Sequence, residues 1–401
     1  MALADLRARY VGARGALFWL ALRTGVLTVL TAGFYRFWMK TRLRRYLWSA
    51  VEIGGVPLEY VGNPWEKLLG FLFAVVVLAF YIGVVNLALM FFSFSLFQTN
   101  AIAYVLSFVG VLPLLFFARY RARRYVLART RWRGIRFGLE PGAWGYAWRA
   151  ALHWLATIAS LGILWPRKAF YLEKYLTDRT HFGDQKLHQG GRWTMLLPAM
   201  KHLYIGVGGS ALAIGVAVGA DLPGALAALA ITLPWALVGL AYWRAHAFRV
   251  LTGSKEIGGA GLVNQARGGR VLGVWLGGYA LTGLVVAAGT AAFFASLALF
   301  FGGVLGYGAL LAALQGAKPA ESAAELPLWA ITVYGIFTYF ASFLLWSTAR
   351  QSFVTLPLAR HFTETTRLTN PLALAHIRQR PRDAFAEAEG FADALDVGAA
   401  L

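Results

Sequence analysis

Basic side chains recur at one register of a repeated sequence pattern, and their chemistry is that of anion binding. Each precedes an aromatic or apolar residue on a segment rich in rings. The recurring residues are Arg45, Arg124, Lys174, Arg249 and Arg360. A cation near a membrane surface attracts an anionic headgroup by about 1 kcal/mol. These residues, together with Lys40, Arg42 and Arg44 of the first copy, are therefore candidates for contacting anionic lipid or an acidic partner.

The sequence offers no motif for catalysis or metal binding. It lacks a His-Glu-x-x-His zinc helix, a Gly-x-x-x-x-Gly-Lys-Ser/Thr phosphate loop and a Gly-x-Ser-x-Gly nucleophile elbow. Without cysteine, disulfides and thiolate sites are excluded. His181, His188 and His202 are seven and fourteen residues apart, which fits no standard zinc helix, so we interpret them as interfacial polar residues. We predict no catalytic residue, no metal, no cofactor and no enzymatic activity.

The composition is that of a membrane protein. Apolar residues make up 59% of the chain and charged residues only 14%, which is too little charge to cover a soluble domain of this size. The net charge of +20 lies in the links between hydrophobic segments, as the positive-inside rule requires. Because this charge does not cluster on one soluble domain, we expect no nucleic-acid partner.

Long uncharged runs predict an all-α polytopic membrane protein with about 6–8 transmembrane helices. It would form a single membrane domain over residues 1–401. The predicted membrane segments lie near residues 16–38, 68–93, 101–118, 143–165, 203–220, 222–242, 271–301 and 326–348.

Between these segments a basic, aromatic helix followed by a polar step and, in most copies, a glycine turn occurs five times. The internal repeats lie near residues 33–62, 119–138, 162–191, 242–262 and 350–370. Such helices belong at the lipid–water boundary. The near alternation around Gly54-Gly55 is compatible with a short β-hairpin or with an irregular loop.

Charge bias predicts that all five repeats and both termini are cytoplasmic. The runs 16–38 and 143–165 have basic sequence on both sides, and Arg23, Arg149 and His153 interrupt them. Two alternatives stay open: either both runs are re-entrant or interfacial, or both cross the membrane fully against the charge rule.

One motif resembles the YjgN family of uncharacterised bacterial inner-membrane proteins. The resemblance rests on Gly33-x-Tyr35-x-x-Trp38-x-Lys40-x-Arg42-x-x-Arg45-Tyr46-Leu47-Trp48, on Leu58-Glu59-Tyr60-x-Gly62 and on Leu69-Gly70-Phe71-Leu72. The ending Glu389–Gly398 is also similar to that family's. The resemblance implies an inner-membrane location, no established activity, and a membrane metallopeptidase or another inner-membrane protein as a partner.

Two functions fit these features. The first is a non-enzymatic scaffold whose basic cytoplasmic face binds anionic headgroups or an acidic partner. The alternative is a transporter or channel for an amphipathic or lipid-like substrate. Candidates for lining a path, or for hydrogen bonds between helices, are Thr332, Tyr334, Thr338, Tyr339 and Ser342.

Overall fold

A computed structural model describes residues 5–98, 101–305 and 328–381 of the chain. The chain falls into two compact units. The barrel unit comprises Met1–Gly12, Lys40–Leu272 and Ala359–Leu401, and the helical unit comprises Ala13–Met39 and Gly273–Leu358. The predicted start of the last membrane segment, residues 326–327, and the ending Glu389–Gly398 lie outside the described residues.

The barrel unit is built on ten short antiparallel strands that form a closed barrel. Each strand pairs with its neighbours in sequence, and the first strand pairs with the last, so the barrel is an up-and-down meander closed by the two chain ends. The strands are β1 Leu6–Tyr10, β2 Val51–Ile53, β3 Val56–Tyr60, β4 Thr130–Trp132, β5 Ile135–Leu139, β6 Thr180–Phe182, β7 Gln185–Gln189, β8 Lys255–Ile257, β9 Ala260–Asn264 and β10 Thr366–Thr369.

Two-residue turns join the strands at one end of the barrel. In Gly54-Gly55 both residues have positive φ, +61° and +79°, and Gly258-Gly259 has the same pattern with +55° and +88°. Two successive positive φ values are the signature of a type I′ turn, whose twist matches that of the strands it connects. Glycine reaches this conformation without a steric penalty, so the Gly-Gly pairs set the hairpins.

The barrel interior is a packed apolar core. Alternate residues of each strand point inward, and Trp132, Phe182, Ala260 and Leu368 are buried there. Beyond β10, Leu374 and Ile377 join the same cluster and cover it. The interior is therefore filled by side chains and is not a pore.

The described α-helices lie in five links that join successive strands at the other end of the barrel. The first residue of every link donates a backbone hydrogen bond to the carbonyl of its last residue. These bonds are Val11 N to Ala50 O (2.8 Å), Val61 N to Arg129 O (2.9 Å), Glu140 N to Arg179 O (3.0 Å), Gly190 N to Ser254 O (2.8 Å) and Gln265 N to Thr365 O (3.0 Å). The five repeats thus share one geometry where their links leave the barrel.

Twelve α-helices are described. They are α1 Arg14–Leu30, α2 Arg36–Ser49, α3 Pro64–Phe80, α4 Asn86–Phe97, α5 Ala101–Ala128, α6 Ala143–Ala159, α7 Trp165–Thr177, α8 Leu197–Gly219, α9 Leu229–Gly253, α10 Gly268–Leu305, α11 Leu328–Arg350 and α12 Leu356–Glu364. A π-helical turn, Tyr81–Val85, separates α3 from α4, and a second, Gln351–Thr355, separates α11 from α12.

The runs 16–38 and 143–165 are each broken at the same kind of turn. After α1, Ala32 has φ +48° and Gly33 N donates to Thr28 O at 2.7 Å. After α6, Leu161 has φ +51° and Gly162 N donates to Thr157 O at 2.8 Å. This is the Schellman closure of a helix, which ends it and redirects the chain. Neither run forms one continuous helix.

Small residues allow α8 and α9 to pack closely within the barrel unit. A Cβ on Gly206 would lie 2.4 Å from Ala236 N, and one on Gly239 would lie 2.4 Å from Leu203 N. Ser210 Oγ donates to Thr232 Oγ1 at 2.8 Å across the same pair. In the helical unit, Thr290 and Ser342 are hydrogen bonded at 3.0 Å between α10 and α11. These contacts are the usual means of association between apolar helices.

The predicted all-α fold with about 6–8 transmembrane helices is wrong, because the repeats form a closed ten-stranded antiparallel barrel. Three helical stretches in the described residues are long and apolar enough to cross a membrane: Trp193–Gly219, Pro223–Gly253 and Gly268–Ser296. They overlap the predicted segments 203–220, 222–242 and 271–301, and they indicate membrane association. Other predicted segments are divided, as at the π-helical turn Tyr81–Val85.

Closure of the barrel by the chain ends can be tested with a cross-link. Arg7 lies directly opposite Arg367, and directly opposed residues of antiparallel strands have Cα atoms about 4.5–5.5 Å apart, within disulfide range. Since the chain has no native cysteine, the Arg7→Cys/Arg367→Cys variant should form an intramolecular disulfide on mild oxidation, detected as a reducible change of gel mobility. The Arg7→Cys/Arg136→Cys control should not, and equal cross-linking of both variants would contradict the closure.

Candidate anion-binding site

Four of the five recurring basic residues attach their helix to the end of a strand. The hydrogen bonds run from Arg45 to Gly62 O (2.9 Å), from Arg124 to Leu139 O (3.0 Å), from Lys174 to Gln189 O (2.8 Å) and from Arg360 to Gly12 O (2.9 Å). Each acceptor is the last residue of a strand or lies two residues beyond it. Hydrogen bonds from charged donors contribute about 1.5–3 kcal/mol, so these residues have a structural role.

The other predicted contact residues have different surroundings. Arg249 is hydrogen bonded to His246 of its own helix at 2.8 Å. Arg44 is buried, with its guanidinium 5.7 Å from the ring centre of Tyr60. Lys40 is half-buried and Arg42 is exposed. Contact of any of these residues with anionic lipid stays a prediction.

The polar residues predicted for the last membrane segment lie on α11 of the helical unit. Ser342 bonds to Thr290 at 3.0 Å, and Tyr334 bonds to Ser296 and, at 3.3 Å, to Phe293 O. Thr338 is half-buried, while Thr332 and Tyr339 are exposed. The structure thus gives two of the five a role in helix–helix hydrogen bonding and brings them to no common cavity among the described residues.

A buried lysine, which the sequence argument passed over, lies at a cavity in the barrel unit. Lys168 of α7 is 6% exposed, and its Nζ lies 3.3 Å from the ring centre of Trp154 and 3.7 Å from that of Trp165. In the described part of the chain, no carboxylate or other hydrogen-bond acceptor pairs with this ammonium group. Burial, with the nearby Arg119, lowers the pKa of Lys168 to about 8, so the group remains mostly protonated at neutral pH.

The cavity beside Lys168 combines aromatic walls with cations. Its volume is ≈ 350 Å³, and its lining includes Phe116, Arg119, Tyr120, Arg123, Tyr146 and Trp243. Phe116 to Arg123 come from α5, Tyr146 from α6 and Trp243 from α9. Trp243 belongs to the candidate span Pro223–Gly253, near the end that leads into the barrel. Tryptophan is enriched at the level of lipid headgroups in membrane proteins.

The one carboxylate lining this cavity, Glu173 of α7, is occupied by ion pairs. Lys255 of β8 lies 2.6 Å from Glu173 Oε1, and Arg123 of α5 lies 3.9 Å from it. Burial alone would raise the pKa of Glu173, but these two cations outweigh it and hold the pKa at about 2. Glu173 therefore joins two helices to the barrel and is not a free base or a counter-ion for Lys168.

The charged residues of the run 143–165 pack against α7. The guanidinium of Arg149 lies 4.9 Å from the ring centre of Tyr175, and its Nη1 donates to Gly145 O at 3.0 Å. The ring of His153 stacks on Tyr171 with centres 5.4 Å apart. Both polar groups thus have protein partners, which reduces the cost of placing them near apolar surroundings.

Sequence comparison gives one family. A family model for bacterial proteins of unknown function, DUF898, matches residues 5–290. The chain belongs to this family. The match covers β1 to β9 and the Lys168 cavity, so both are placed within the family region of this DUF898 protein. No curated protein and no solved structure matches the chain significantly.

The anchoring role of the recurring basic residue has an internal control. Arg45→Gln removes a charged donor from Gly62 O and should lower the unfolding free energy by about 1–3 kcal/mol. Arg249→Gln removes only a contact within its own helix and should leave stability nearly unchanged. Thermal unfolding of both variants in mild detergent checks this, and an equal loss in the two would show that the bond to the strand end is unimportant.

The Glu173 ion pairs predict a pH dependence. Because the folded-state pKa, about 2, lies below the ordinary 4.5, ionised Glu173 stabilises the fold above pH 4.5, and this contribution declines as the pH falls towards 2. Glu173→Gln should therefore lower the melting temperature by the same amount at pH 7 and pH 5, and by less below pH 4.5. The exposed Glu364→Gln is the control. A Glu173→Gln effect that does not shrink in acid would refute the ion-pair assignment.

Proposed function

We propose that this DUF898 protein is a non-enzymatic protein of the bacterial inner membrane that binds the anionic headgroup of a lipid in the Lys168 cavity. The observation that carries the proposal is the ammonium group of Lys168, a residue that is only 6% exposed, which lies between two indole rings with no carboxylate partner in the described part of the chain, at a cavity with aromatic walls.

The charge of Lys168 explains why an anion should bind. Burying an ammonium group costs several kcal/mol unless it is compensated. The faces of Trp154 and Trp165 return roughly 0.5–2 kcal/mol each, which leaves the charge only partly stabilised. A phosphate oxygen at Nζ would supply the missing partner, and Arg119 and Arg123 at the same cavity would contact the remaining oxygens.

The aromatic lining selects an amphipathic ligand. Phe116, Tyr146 and Trp243 offer apolar surface beside the cations, which suits the part of a lipid where the headgroup meets its chains. A free polar anion would gain nothing from these rings. The position of Trp243 near the end of a candidate span also supports a ligand taken from the membrane.

The barrel supports a common side for the repeats. All five contribute strands to one closed barrel, which supports the proposal that the repeats share one side of the membrane. The positive-inside rule favours the cytoplasm for that side. The resemblance to YjgN supports the inner membrane, and a metallopeptidase or another protein of that membrane stays a proposed partner.

Binding is favoured over transport by the packed barrel. A transporter needs a path for its substrate, and the barrel interior is filled by Trp132, Phe182 and Leu368 with their neighbours. Catalysis is disfavoured at the Lys168 cavity because Glu173 is held by Lys255 and Arg123. The cavity therefore has cations to hold a ligand and no free base beside it.

The proposal is tested by the lipid content of the purified protein. The native protein in mild detergent should retain phosphatidylglycerol or cardiolipin, measured by mass spectrometry. Lys168→Gln should lose about tenfold in affinity, equivalent to about 1.4 kcal/mol, whereas Lys168→Arg, which keeps the cation, should retain most of it. Lys201→Gln is the matched control, since its ammonium group lies 6.0 Å from the ring centre of Tyr242 outside the cavity.

Three outcomes would contradict the proposal. Equal anionic-lipid content in the native protein and Lys168→Gln would show that the lipid does not bind in the cavity. If the native protein retained phosphatidylcholine to the same extent as the anionic lipids, the cavity would not select for headgroup charge. Co-purification of an acidic protein in place of lipid, lost in Lys168→Gln, would assign the cavity to a protein partner.

A further inference from the structure

Two arginines face each other on the outside of the barrel. Arg131 of β4 is directly opposite Arg136 of β5, and like charges at directly opposed positions of antiparallel strands destabilise the pair. The corresponding pairs in the other hairpins are Glu52 with Pro57, His181 with Lys186 and Glu256 with Gly261. The opposed arginines are thus a property of the β4–β5 hairpin and not of the hairpin repeat.

These arginines line a pocket of ≈ 210 Å³ with three further arginines and two glutamates. Both carboxylates have other partners. Glu66 accepts hydrogen bonds from Arg129 at 2.8 Å and from Tyr125 at 3.0 Å. Glu140 pairs with Lys186 at 2.5 Å, and this bond lowers the pKa of Glu140. Among the residues that line the pocket, the five arginines therefore outnumber the two carboxylates.

Arg131 also has an unsatisfied donor. Its Nε is buried and makes no hydrogen bond within the described residues. The acid directly opposite Arg131 on the neighbouring strand β3 is Glu59. In the described part of the chain the two side chains form no ion pair. A buried guanidinium nitrogen without a partner is costly, so it indicates a ligand with acceptor oxygens.

The segment after β10 forms one wall of the pocket and is fixed to the barrel. Arg136 N donates to Gln379 Oε1 at 2.9 Å, and Asp184 N donates to Arg378 O at 2.9 Å. These bonds hold Arg380, whose Nη1 lies 3.3 Å from His181 Nε2, at the pocket. Burial, with Arg380 beside it, lowers the pKa of His181, so at neutral pH its ring is uncharged and the positive charge resides on the arginines.

We propose that this pocket is a second binding site, specific for a phosphoryl group of a small soluble molecule, with Arg131, Arg136 and Arg380 as its ligands. Planar guanidinium groups bind phosphate oxygens in pairs. The volume of ≈ 210 Å³ accommodates a phosphate with a small substituent. The lining is polar, unlike the aromatic Lys168 cavity, so a lipid chain is not favoured. The site is independent of the proposed lipid-binding function.

The test combines binding and stability in the full-length protein in detergent. Inorganic phosphate, and in a separate arm glycerol 3-phosphate, is titrated at constant ionic strength with chloride as the reference anion. The native protein should be stabilised against thermal unfolding by one or both phosphates. Arg131→Gln/Arg136→Gln should bind at least about tenfold more weakly. Without phosphate the same variant should melt at an equal or higher temperature, because the repulsion between the two arginines is removed.

A second opposed pair provides the matched control. Arg7 and Arg367 face each other across β1 and β10, but they line two different pockets. Arg7→Gln/Arg367→Gln should keep the native response to phosphate. Stronger binding of glycerol 3-phosphate than of inorganic phosphate would identify a phosphomonoester ligand, and the reverse would identify free phosphate.

The proposal is overturned if phosphate stabilises both double variants equally, since the effect would then be one of general charge. It is also overturned if phosphate leaves the native protein unaffected. A lower melting temperature of Arg131→Gln/Arg136→Gln without phosphate, together with an unchanged phosphate response, would show that the two arginines serve the fold alone.

Discussion

The pairing of β1 with β10 is the constraint on which the rest of the structure depends. An open sheet of short strands would expose two edges with unpaired backbone groups, and closure removes both. Residues more than three hundred positions apart must therefore meet, as Arg7 meets Arg367. Closure then requires each link to return to its starting point. The backbone hydrogen bond between the first and last residue of every link shows that the two ends of each link meet.

The recurring basic residues acquire two roles from this geometry. Their charge is of the kind that the positive-inside rule expects on the cytoplasmic side, while the hydrogen bonds that four of them make to strand ends, such as Lys174 to Gln189 O, attach those helices to the barrel. We propose that anion binding instead involves basic residues outside the repeated register, Lys168 between two indoles and Arg131 opposite Arg136. The basic residues thus fall into two groups. Four of the repeated register bind backbone carbonyls, and those outside the register are proposed to bind ligands.

Part of this was predictable from the sequence and part was not. The sequence around Gly54-Gly55 was compatible with a hairpin or an irregular loop, and the hairpin forms because glycine is suited to two successive positive φ values. The barrel was not, because strands such as Val51–Ile53 are too short for alternation to stand out among apolar helices. The Lys168 cavity was missed because Trp154, Trp165 and Trp243 come from three different helices. The only indication of this cavity in the sequence was a lysine close to a tryptophan in an apolar run.

Closure also favours the first of the two alternatives for the runs 16–38 and 143–165, in which neither run crosses the membrane fully. Each run lies in a link, Val11–Ala50 or Glu140–Arg179, and both links begin and end at adjacent strands of the barrel. A single crossing within either link would place neighbouring strands on opposite sides of the bilayer, where they could not pair. The chain must therefore turn back within the link, and the Schellman closures at Gly33 and Gly162 are where each helix ends and the chain changes direction. The interrupting Arg149 and His153 then need to satisfy only their α7 neighbours, Tyr175 and Tyr171, and not a full apolar span.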